Sequence, residues 1–186
     1  KPLWSPLVDL LGTKRRWIVV LQFAIGAALA MVALALPTTH AVRMALAIFW
    51  LMAFASATHD IAADGFYLLA LPQRTQAAFV GVRSTFYRLA MIAGQGGLVF
   101  LAGWLQERNG GQAAPAWAQV FGLMAAFFGA VALWHAWALP RPASDHATRA
   151  TAGAASTFWA DFIEVFAAFF RKPGIVRILA FLLLYR

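Results

Sequence analysis

Four apolar stretches, 17–36, 44–71, 76–105 and 116–139, dominate this chain. Each is long enough to cross a bilayer, because about 20 helical residues span about 30 Å of hydrocarbon. A fifth apolar run, 174–186, continues to the last residue. Hydrophobic residues make up 62% of the sequence and charged residues 12%, too little polar surface for a soluble domain of 186 residues. The expected fold class is therefore all-α, a polytopic bundle of membrane helices. The chain begins on Lys1 and ends inside an apolar run at Arg186, so the reading is of a piece of a longer protein.

Helix-stopping residues separate the stretches: Pro37-Thr38-Thr39, Pro72-Gln73-Arg74, Asn109-Gly110-Gly111 and Pro140-Arg141-Pro142. The cations alternate between the two sides. Lys1, Lys14, Arg15, Arg16, Arg74, Arg141, Arg149, Arg171 and Lys172 fall on one, and Arg43 and Arg108 on the other. The positive-inside rule then places residues 1–16, 72–76 and 140–173 in the cytoplasm. The net charge of +8 sits at the ends of apolar spans, which argues for a lipid bilayer and against nucleic acid as the partner. With no cysteine, disulfides and thiolate metal sites are excluded. Residues 141–156, rich in Pro, Ala, Ser, Thr and Gly, read as a flexible linker. In 157–171, Phe158, Phe162, Phe166 and Phe169 fall at helical spacing. That predicts a short helix, either lying at the membrane interface or packed against the ends of the bundle.

The second stretch carries charges: Ser56-Ala57-Thr58-His59-Asp60-Ile61-Ala62-Ala63-Asp64-Gly65. A carboxylate at the centre of a membrane helix costs at least about 2.5–3.5 kcal/mol, and the usual reason to keep one is a path for an ion, proton or substrate. Asp60 and Asp64 are four residues apart and share a face. Counted back from Leu71 at 1.5 Å per residue, Asp64 lies about 10 Å deep and Asp60 about 16 Å. The antiparallel third stretch carries Arg83 at about 8 Å and Arg88 at about 15 Å, with Tyr87 and Gln95 on the same span. The depths predict two rungs, Asp64 with Arg83 and Asp60 with Arg88, each either a functional pair or a lock between helices. His59 points about 100° away from Asp60 and is either a proton relay or a hydrogen-bonded packing residue. Gln95 follows Arg88 by seven residues and should face the same way, while Gly94, Gly96 and Gly97 predict close helix packing. Gln22 and Arg186 are further polar groups at membrane depth, Arg186 about 17 Å into its helix. No nucleophile elbow, zinc-protease pair or phosphate loop occurs, and His59 with Asp64 is too small a set for a metal. The expectation is a transporter with no cofactor, not an enzyme.

The opening Asp9-Leu10-Leu11-Gly12-Thr13-Lys14-Arg15 resembles the cytoplasmic loop motif of major facilitator transporters, Asp-x-x-Gly-x-Arg/Lys-Arg. Lys1-Pro2-Leu3-Trp4-Ser5-Pro6-Leu7-Val8-Asp9, Ser56 to Gly65, Gly81-Val82-Arg83-Ser84-Thr85-Phe86-Tyr87-Arg88-Leu89-Ala90-Met91 and Phe169-Phe170-Arg171-Lys172-Pro173-Gly174 resemble the muropeptide permease branch of the peptide/acetyl-coenzyme A transporter family. His59 stands where many members of that branch have Gln. The resemblance implies a major facilitator fold of twelve helices, of which this chain holds about helix 3 to the start of helix 7. Residues 1–140 would belong to the N-terminal bundle, 141–173 to the central linker and 174–186 to the C-terminal bundle. It implies a monomer in the bacterial inner membrane that imports muropeptides with protons. Asp9, Gly12, Lys14 and Arg15 would form the cytoplasmic gate. His59, Asp60, Asp64, Arg83, Tyr87, Arg88, Gln95 and Arg186 would line the proton and substrate path.

Overall fold

A computed structural model describes residues 4–146 and 158–184, and it is helical with no strand among the described residues. The elements are α1 (Ser5–Leu11), α2 (Lys14–Ala35), α3 (Ala41–Ala70), α4 (Gln73–Ile92), a π-helical turn (Ala93–Gly97), α5 (Leu98–Arg108), α6 (Ala113–Ala138), α7 (Phe158–Phe170) and α8 (Ile175–Leu184). Four rods are long and apolar enough to cross a membrane: Lys14–Ala35, Ala41–Ala70, Gln73–Arg108 and Ala113–Ala138. The third is α4, the π turn and α5 run together. The fold class is thus a helical membrane bundle, in part. The first rod starts at Lys14, ahead of the apolar stretch, because the basic residues 14–16 continue its first turn.

The chain divides into two units, Lys14–Asp145 and the pair of segments Lys1–Thr13 and His146–Arg186. In the latter, α1 packs against α7, and α7 against α8. The rings of Phe162 and Phe166 stack at 6.4 Å and those of Phe166 and Phe170 meet at 5.0 Å, so the aromatic stripe of α7 is self-associated along the helix. Gly174, at φ +79°, makes the turn into α8.

The larger unit is organised on α2, which packs extensively against both α3 and α6. Ala28, Val32 and Ala35 of α2 form a core with Ala45 and Ile48 of α3. Small residues let the backbones approach. At Gly26, an added Cβ would sit 3.4 Å from both the Ala125 carbonyl oxygen and Phe128 Cβ of α6. Gly110 (φ +66°) and Gly111 (φ +83°) turn the chain from α5 into α6, a left-handed conformation that glycine tolerates. By contrast α4 has no buried residue, and α3 and α4 touch little beyond their shared turn at Pro72. Trp50, Phe86, Phe100 and Trp137 are all more than two-fifths exposed. Such surface suits lipid or further helices rather than water.

Candidate functional site

Helix α2 begins, and α3 and α6 end, at one basic end of the unit that carries Lys14, Arg15, Arg16, Arg74 and Arg141. The polar side chains of the unit concentrate towards it in three groups.

The first group closes the corner between α3 and α4. Arg83 Nη2 lies 2.5 Å from Asp64 Oδ1, and its guanidinium carbon sits 5.0 Å from the Tyr67 ring centroid. The Tyr67 hydroxyl donates to the Gln76 carbonyl. Gln76 Nε2 donates to the carbonyls of Leu68 (3.2 Å) and Leu71 (2.7 Å), satisfying acceptors that the end of α3 leaves open. Arg83 and Tyr87 also share an open depression of about 540 Å³ with Val80, Ser84 and Phe86.

The second rung does not form. Arg88 is exposed on α4 and makes no ion pair among the described residues. The reason is geometric: the two helices meet only near Pro72, so a cation one turn beyond Arg83 is out of reach of α3. Gln95 is displaced as well. It lies exposed in the π turn, whose wider winding breaks the seven-residue register with Arg88. Cβ atoms added at Gly94, Gly96 or Gly97 would meet nothing within 4 Å, so the expected close packing is not made there.

The second group faces a cavity of about 340 Å³ between α2, α3 and α6, lined by Ile18, Gln22, His59, Phe66, Tyr67 and His135 among others. His59 points into it while Asp60, the next residue round the helix, is exposed on another face. His135 Nδ1 lies 2.8 Å from Gln22 Oε1. His59 Nε2 is buried without a hydrogen-bond partner among the described residues. Sequence reasoning singled out His59 and noted Gln22 but missed His135. The available signal was the rarity of an imidazole inside an apolar span.

The third group ties the ends of α2 and α6. The backbone N–H groups of Lys14 and Arg15 donate to Asp145 Oδ1 (2.7 Å) and Oδ2 (3.0 Å). Arg15 Nε donates to the Leu139 carbonyl at 3.1 Å, and Arg15 Nη2 to the Ala136 carbonyl. The Lys14 side chain runs across Gly65, where an added Cβ would come within 2.6 Å of Lys14 Cε. Asp9 lies on α1 and Gly12 just past its end, in the smaller unit. Arg186 lies outside the described residues.

Comparison with known proteins adds the following. The BT1 family model matches residues 1–186, the whole chain. Over 131 residues, 68% of this chain, the sequence is 32% identical to the anhydromuropeptide permease of Escherichia coli strain K12, and equally to that of Escherichia coli O157:H7. The match takes in 25% of each relative, so the chain spans about a quarter of the length of the curated relatives it matches. No solved structure matches it.

Proposed function

Since the chain belongs to the BT1 family over its whole length, we propose that it is part of a secondary active transporter, without enzymatic activity, that imports muropeptides together with protons. The observation that carries this reading is the 32% identity to a permease named for anhydromuropeptides. The charged residues inside α3 and α4 support it, because carboxylates and guanidinium groups at membrane depth mark ion and substrate paths. Secondary transporters work by rocking two halves around a midplane site. Asp60 is the titrating carboxylate, and Arg88 supplies positive charge to the path from α4. Asp64, Arg83, Tyr87 and Gln95 line the path, and Arg186 contributes a cation for an anionic solute. Asp9, Gly12, Lys14 and Arg15 form the gate on the cytoplasmic side of a bacterial inner membrane. The protein works as a monomer.

The test is uptake of a labelled N-acetylglucosaminyl-anhydromuramyl peptide by the intact transporter in permease-deficient cells. Uptake abolished by a protonophore supports the symport reading. Absent uptake from a well-inserted protein moves the substrate to another small anionic or peptide-like solute. Binding without counterflow of label makes the protein a sensor on a transporter scaffold.

A further inference from the structure

Asp60 faces one side of α3, and His59, about 100° round the helix, faces another. There, polar side chains from three helices line one cavity in an apolar bundle: Gln22, His59 and His135. The 2.8 Å contact of His135 Nδ1 with Gln22 Oε1 is a hydrogen bond of the kind that holds membrane helices together. It also sets the ring: an amide oxygen only accepts, so His135 carries its hydrogen on Nδ1 and keeps the lone pair on Nε2. His59 is not explained by packing. Its Nε2 is shut off from solvent with no partner among the described residues, and native structures seldom leave such an atom without a use.

We propose that His59 and His135 together form a proton-binding site separate from Asp60, with Gln22 holding His135 in the tautomer that accepts. The site takes a single proton, because two imidazolium charges in one apolar cavity repel and neither is well hydrated. The charged and titratable groups around it are Asp60, Asp64 and Tyr67 on α3, Lys14 and Arg15 on α2, the first crossing Gly65 and the second bonded to the Ala136 and Leu139 carbonyls at the end of α6, and Arg83 of α4 held on Asp64. His59 and Asp60 are consecutive on α3, so the protonation of one side of the helix is felt on the other.

The test is an imidazole NMR titration of the histidine-labelled intact transporter in nanodiscs, with His59→Gln and His135→Gln for assignment. The two rings are expected to share one coupled titration, and the midpoint of His59 to move by about one unit in His135→Gln. A His59 that never changes protonation state, or whose midpoint is the same in both proteins, overturns the proposal. If His135→Gln does not fold, the wild-type curves decide: two-step titration shared by both rings supports the pair, and independent single steps overturn it. The measurement needs no solute, so loss of the muropeptide reading and loss of this one are told apart.

Discussion

Asp64 and Arg83 are both more than half exposed within this chain, and exposed ion pairs contribute only about 0–1 kcal/mol. Their importance lies in what else Arg83 touches, since it also covers the Tyr67 ring. Arg83→Gln should cut uptake about tenfold or more while the protein still inserts. The double variant Asp64→Asn/Arg83→Gln should recover part of that, because removing both partners avoids a lone charge. Radiolabel uptake normalised to membrane yield reads both. Asp60→Asn should abolish gradient-driven uptake and spare counterflow; full gradient response in that variant would remove Asp60 from coupling. The Asp64–Arg83 rung was legible from depth counting because both residues lie close to the Pro72 turn. Errors in helix tilt grow with distance from that turn, and Arg88 and Gln95 lay beyond where counting holds.

Helix existence was written in the apolar runs, whereas helix ends are set by what caps them. Asp145 accepts from the first two N–H groups of α2, and Arg15 returns the exchange to the last carbonyls of α6. Losing an N-cap costs about 0.5–2 kcal/mol, so Asp145→Ala should lower the thermal unfolding midpoint in detergent. Arg15→Lys should lower it too, because an ammonium lacks the planar fork that spans two carbonyls. Lys14→Gln should leave the midpoint nearly unchanged and alter transport alone, if the gate motif acts as the resemblance implies. Gly26→Leu should separate α2 from α6, where an added Cβ already stands at 3.4 Å from backbone and side chain. The predicted readout is a lower midpoint with loss of monodisperse protein. The π turn at Ala93–Gly97 had no advance sign beyond its glycines. It arises from a local change in winding that a regular 3.6-residue count cannot contain.

At the scale of the molecule, the membrane class, the four spans, their breaks and the family were all readable from the chain. Hydrophobic runs and helix period are local properties, and a bilayer leaves a run of that length few alternatives. The polar groups inside the spans were readable too, since any such group in an apolar run stands out by its cost. What only the tertiary structure decided is which of these groups meet. Gln22 and His135 are 113 residues apart, and Lys14 and Asp145 are 131 apart. A helix may be turned about its axis at no cost to its own hydrogen bonds, and one residue of rotation is about 100°. The rotation and tilt of α2, α3 and α6 are fixed by packing between them. That packing aims His59 into the cavity shared with His135 and leaves Arg88 out of reach of α3.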